Sequence, residues 1–246
     1  FLDRFGETLA PYHIERLDNL LWRKLRTQAE RMKPLVSVDT FRLAQARMAL
    51  QRRDATVDAA INALSPTQQV DPGLAFDRFE WRMAKDRWDE AQDLITERTS
   101  PTTKMGRPDK WASRRRGFAR RAMRAGKIDE AYKLASQHGL TSGASFADLE
   151  WLSGYIVLTY RDDPQQALIH FKKFNAAVKS PISLGRGSYW LGRVYERLGD
   201  FDAAATHYLQ GGAYQTSFYG QLSAQRIQAN PDATLAGQEP IGDGRK

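Results

Sequence analysis

At five junctions in this chain the same formula can be aligned, a Gly or Asp followed, five residues later, by Ala: Asp54 and Ala59, Asp86 and Ala91, Gly126 and Ala131, Asp162 and Ala167, Gly199 and Ala204. Each pair lies between two stretches whose apolar residues recur every three or four positions, the spacing of one helix face. The Gly or Asp ends the first helix, and the small Ala lets the second cross it closely. The alanines are 32, 40, 36 and 37 residues apart. One helical hairpin cannot bury its own apolar face, so such a chain stacks hairpin on hairpin.

The last hairpin, residues 186–222, is the clearest. Tyr189, Trp190, Gly192, Val194 and Tyr195 share one helix side, Gly199-Asp200 breaks the helix, and Ala204, Tyr208 and Gly211 resume the spacing. A Trp-Leu-Gly…Tyr helix followed by an Ala…aromatic helix, at a period of about 34 residues, is the tetratricopeptide mark, and the drifting period indicates an irregular version. The expected fold is all-α, an irregular tetratricopeptide-like α-superhelix, that is, a solenoid of antiparallel helix pairs. Residues 1–229 would supply about five to six pairs, and residues 230–246, with no apolar periodicity, a linker or tail.

Taken in order, residues 1–35 read as a helix with an apolar stripe of Leu17, Leu20, Leu21 and Leu25 bordered by Trp22, closed at Pro34. Ser37 opens the next helix, which places Phe41, Ala44, Met48 and Leu50 inward; its partner carries Val57, Ala60, Ile61 and Leu64 and stops at Ser65-Pro66. The second pair is built on Leu74, Phe76, Phe79, Trp81 and Met83, then Trp88, Ala91, Leu94 and Ile95. The third uses Trp111, Phe118, Ala119, Ala122 and Met123, then Ile128, Ala131, Leu134 and Ala135; the fourth uses Leu149, Trp151, Leu152, Tyr155 and Ile156, then Ala167, Leu168 and Phe171. Residues 99–108 read as a loop. No alternating strand pattern competes.

The longest uncharged apolar run, residues 151–160, is half of the about 20 residues a membrane-spanning helix needs, so no membrane span is expected. With no cysteine, thiolate metal sites and cysteine nucleophiles are excluded. No phosphate loop, nucleophile elbow or dinucleotide fingerprint occurs. His13, His138, His170 and His207 stand apart in sequence and read as surface or partly buried helix residues; neither metal nor cofactor is expected. Acidic pairs such as Asp89-Glu90 and Asp129-Glu130 open second helices, where they complement the positive helix end rather than serve as acid and base.

Charge is concentrated. Residues 104–127 hold ten Lys and Arg against Asp109 alone, so the rest of the chain is close to neutral although the net charge is +8. At 100° per residue, Trp111, Phe118, Ala119 and Ala122 fall on one side of this helix and Arg116, Arg120, Arg121 and Arg124 on the other; Arg115 lies in the apolar sector and must snorkel or pair. That face is either solvated or an anion-binding surface. No aromatic residues interleave the arginines, which argues against nucleic acid. A second concentration is aromatic: Tyr189, Trp190, Tyr195, Tyr208, Tyr214, Phe218 and Tyr219 fall within one short stretch, most of them as core and some on a surface that could hold sugar rings.

The run Arg186-Gly187-x-Tyr189-Trp190-x-Gly192-Arg193, followed by Phe218-Tyr219-Gly220-Gln221-Leu222, resembles the soluble lytic murein transglycosylases of Gram-negative bacteria, at the far end of their long helical region. DLEWLSGYIVLTYRDDPQQALIHF and WRMAKDRWDEAQDLI also look like that family, so that the resemblance covers residues 70–228. It implies a periplasmic protein acting on peptidoglycan, with a catalytic Glu in a lysozyme-like domain marked by Glu-Ser and Gly-Leu-Met-Gln. Neither motif occurs here, so no catalytic residue can be carried over. The chain is expected to be the non-catalytic helical scaffold that positions murein strands, with other cell-wall proteins as further partners. Candidate peptidoglycan- or anion-binding residues are Arg116, Arg120, Arg121, Arg124, Tyr189, Trp190, Arg193, Tyr219 and Gln221. The rival expectation is a tetratricopeptide-like adaptor that docks an acidic protein on the basic helix.

Overall fold

The computed structural model describes residues 7–99, 105–231 and 233–235. The chain is all-α; among those residues there is no strand, and no helix is long and apolar enough to cross a membrane. Two compact units are present, one ending at Trp111 and one beginning at Ala112, with the division inside the helix Pro108–Arg124. Much of the 99–108 loop and of the 230–246 tail lies outside the described residues.

In the N-terminal unit, α1 (His13–Trp22) and α2 (Arg26–Glu30) replace the single helix expected over residues 1–35. The chain turns at Lys24, which takes a left-handed φ of 58°, a break that no Gly or Pro announces. Leu17, Leu21 and Trp22 are buried as the stripe required. Ser37 caps α3 (Val38–Arg52), its side chain accepting from the Thr40 backbone N–H, and Phe41, Ala44, Met48 and Leu50 are buried. Then come α4 (Val57–Asn62), α5 (Pro66–Gln69, opened by a Ser65–Gln68 capping box), α6 (Pro72–Ala84) and α7 (Trp88–Glu97). Ser65-Pro66 thus starts a short helix as well as stopping one. Trp88, expected inside, is 46% exposed, whereas Ala91, Leu94 and Ile95 are buried.

One charged residue sits at the centre of this unit. Arg47 is 1% exposed; its Nε donates to Asp77 Oδ2 and its Nη1 to Asp18 Oδ1, both at 2.7 Å, and its guanidinium lies 5.2 Å from the Trp22 ring centre. Gln51 Nε2 donates to Asp77 Oδ1 and to the Leu21 carbonyl, at 3.0 Å each. These bonds tie α1, α3 and α6 together.

The C-terminal unit continues with α8 (Pro108–Arg124), α9 (Ile128–Ser136), α10 (Ala144–Ile156), α11 (Pro164–Ala177), α12 (Pro181–Leu198), α13 (Phe201–Gly212) and α14 (Phe218–Arg226). From α9 to α14 each helix packs on the next. The junction rule now has a conformational meaning. Asp86, Gly126, Asp162 and Gly199 all take positive φ, between 50° and 79°, so each supplies the left-handed residue that terminates a helix. The alanine five residues on is buried in all four cases. The first junction departs: Arg53 takes the left-handed turn, Ala59 is exposed, and Val57 is the buried contact.

Close approach at the last hairpin is explicit. A Cβ on Gly192 would stand 2.6 Å from Cε1 of the buried Tyr208 ring. Gly192→Ala is therefore expected to cost about 1–3 kcal/mol through overpacking, read as a lower urea midpoint with helix content unchanged in the folded state.

Candidate functional site

The basic helix α8 is amphipathic as the wheel requires: Trp111, Phe118, Ala119 and Ala122 are buried. Arg115, in the apolar sector, does not snorkel. It is fully buried, donates from Nη1 to the Leu134 carbonyl at 3.3 Å, and burial holds its guanidinium down at about 10. On the other side Arg116 is paired with Asp148 of α10, and Arg121 and Arg124 are exposed. Arg120 is different. It makes no ion pair or hydrogen bond with the described residues. Burial, then Arg116, pushes its guanidinium below the ordinary value; Arg186 and Arg124 add to the repulsion, and Asp148 alone offsets it.

Arg186 of α12 is the centre of the site. Its guanidinium carbon lies 4.9 Å from the Trp151 ring centre and 5.5 Å from that of Tyr219. Its Nε is buried and finds no acceptor, and the side chain has no counter-ion among the described residues. Two aromatic faces thus hold a cation whose hydrogen-bonding edge is unused.

Around it runs an aromatic array. Trp151 stacks on Tyr155 (5.5 Å, 17°), Tyr155 meets Tyr160 edge-on (6.1 Å, 76°) and Trp190 edge-on (5.4 Å), and Trp190 lies 6.4 Å from Tyr219. Burial raises the Tyr155 phenol, and Tyr160 and Tyr219 contribute. The row on α10 extends to Tyr160 because residues Val157–Arg161 form a π turn. In an α-helix, positions i and i+5 point about 140° apart; a π turn closes i on i+5 and returns them to one side.

Of the sequence candidates, Tyr189, Trp190 and Tyr219 come together, with Tyr189 5.6 Å from Trp190 and 5.4 Å from Tyr219. Tyr189 is buried, and Arg193 is spent on it: Nη1 donates to its hydroxyl at 3.0 Å, while Nε stands 3.4 Å from Glu196. Gln221 lies apart, lining an open groove of about 460 Å³ with Gln215, Ala224 and Gln225. Arg186, Trp151, Tyr155 and Tyr160 were not singled out as binding residues from sequence. No family model, curated protein or solved structure matches this chain.

A second polar cluster lies inside the C-terminal unit. Glu150 is 3% exposed and accepts from His170 Nδ1 at 2.5 Å and from Lys173 Nζ at 3.3 Å; His138 Nε2 stands 3.4 Å away. His170 Nε2 is 3.0 Å from the Tyr132 hydroxyl. His13, His138 and His170 are thus buried rather than superficial. Burial works to raise the Glu150 carboxyl, but His138, His170 and Lys173 outweigh it and hold it at about 2. A carboxyl that stays ionised cannot act as a general acid near neutral pH. Among the described residues no group of three or more His, Asp and Glu is arranged to hold a metal ion.

Proposed function

We propose that the chain is a helical scaffold of the periplasm that binds and positions peptidoglycan strands for cleavage elsewhere, as the resemblance to the lytic murein transglycosylases implies. The observation that carries this reading is Arg186, held between Trp151 and Tyr219 without a counter-ion beside the unpaired Arg120. Aromatic faces suit sugar rings, and arginines suit the free carboxylates of murein stem peptides.

The test is co-sedimentation with purified murein sacculi. The wild-type chain is expected to be retained, and the Arg120→Ala/Arg186→Ala variant to lose retention by about tenfold or more, a loss equivalent to about 1.4 kcal/mol. Release of anhydro-muropeptides by the chain alone would refute the non-catalytic reading. Capture by an acidic polypeptide with no retention on sacculi would favour the adaptor instead.

A further inference from the structure

We propose that the groove between α1 and α3 binds a small organic cation, an ammonium group on an apolar body that also carries a carbonyl. The site lies wholly within the N-terminal unit and shares no residue with the arginine and aromatic face described above.

The size and the wall set the kind of ligand. The groove has a volume of about 470 Å³, within the range of about 300–1,000 Å³ that suits a small molecule. α1 contributes Ile14, Leu17 and Leu21 to its lining, and α3 contributes Leu43 and Ala44. Ile14 is 62% exposed and Leu43 only half-buried, so apolar surface on both helices is left to water. An apolar body lying between them covers that surface, which is favourable in proportion to the area removed from water.

The polar lining sets the charge. Glu15, Asp18 and Asp71 border the groove, and Arg47 is the one basic residue among the described residues that line it. That cation is already committed, through Nε to Asp77 and through Nη1 to Asp18. Asp71 caps α6 by accepting from the Leu74 backbone N–H at 2.7 Å. Glu15 is exposed, and no ion pair or hydrogen bond joins it to another described residue. The lining therefore favours a cation. Among the described residues these carboxylates are not grouped to hold a metal ion, so the cation they suit is an organic one. A second polar group asks for an oxygen. Arg47 lines the groove at 1% exposure, and its buried Nη2 has no acceptor among the described residues. A buried donor left unpaired carries its full desolvation penalty, which a carbonyl oxygen brought by the ligand relieves.

The experiment is an NMR titration of backbone amides in the full chain with leucinamide, which joins an ammonium, a branched alkyl group and a carbonyl. It is run below the α-amino pKa of about 8, where the probe is charged. Saturable shifts are expected at Ile14, Thr40 and Leu43. Three further probes each remove one group. N-acetyl-leucinamide has no charge, glycinamide has no apolar body, and isopentylamine has no carbonyl; each is expected to bind at least about threefold more weakly than leucinamide. Glu15→Gln should bring leucinamide and its acetylated form closer to parity. Ile14→Ala should weaken both by a similar factor and leave their ratio unchanged. Both positions are exposed, so neither change should disturb the spectrum away from the groove. Absence of saturable shifts at the groove overturns the proposal, as does an unchanged affinity in either variant. Acetylated and free probes of equal affinity would remove the cation. Glycinamide binding as tightly as leucinamide would show a plain acidic surface, and isopentylamine doing so would remove the carbonyl; each of these also overturns the proposal.

Discussion

Arg47→Met is expected to destabilise the N-terminal unit by about 3–5 kcal/mol, the range for removing one partner of a buried ion pair. Arg47 is 1% exposed and bonds Asp77 and Asp18 on two other helices. Without it, Asp77, itself 3% exposed, keeps only Gln51 as a side-chain donor among the described residues. Burial already pushes the Asp77 carboxyl up to about 6 even though Arg47 pulls it down; once Arg47 is gone it takes up a proton, which caps the loss. The check is urea denaturation of the single variants and of Arg47→Met/Asp77→Leu. An apolar pair should recover much of the loss, since well-packed apolar side chains can replace a buried ion pair at little cost. A single-variant loss below about 1 kcal/mol would place the pair among weak surface bridges instead.

The second large effect is expected at Glu150. A carboxyl held at about 2 instead of the ordinary 4.5 represents about 3 kcal/mol of stability for the C-terminal unit. Because the folded state binds the proton more weakly than the unfolded chain, that contribution is complete above pH 4.5 and drains away as the pH falls toward 2. Glu150→Gln keeps the shape and loses the charge that His170 and Lys173 meet. The gap in unfolding free energy between wild type and variant should be constant above pH 4.5 and close below it. A gap that persists unchanged at pH 2 would mean that packing, not ionisation, is at stake.

Much of the helical order was legible because its signals are local. The left-handed residues at 86, 126, 162 and 199 and the buried alanines after them are visible as a spacing. The break at Lys24 was not, because a lysine has no preference for that conformation. The candidate site was half legible. Trp190, Tyr189 and Tyr219 stand out as a cluster in sequence, but Arg186 acquires meaning only when Trp151, 35 positions earlier, closes over it. Tyr160 was invisible for a geometric reason: helix arithmetic at 100° per residue turns it away from Tyr155. The Glu150 cluster draws on His138 before α10 and on His170 and Lys173 of α11, so no window of sequence contains it.

The π turn at Val157–Arg161 also marks where the chain tolerates a change of length. Such a turn is an ordinary helix that has swallowed one extra residue. Dropping a single residue from this window would let the backbone close up into regular coil without loss of helix, yet swing the exposed phenol at 160 off the row. One codon would thus move an exposed aromatic ring and leave the scaffold beneath it intact.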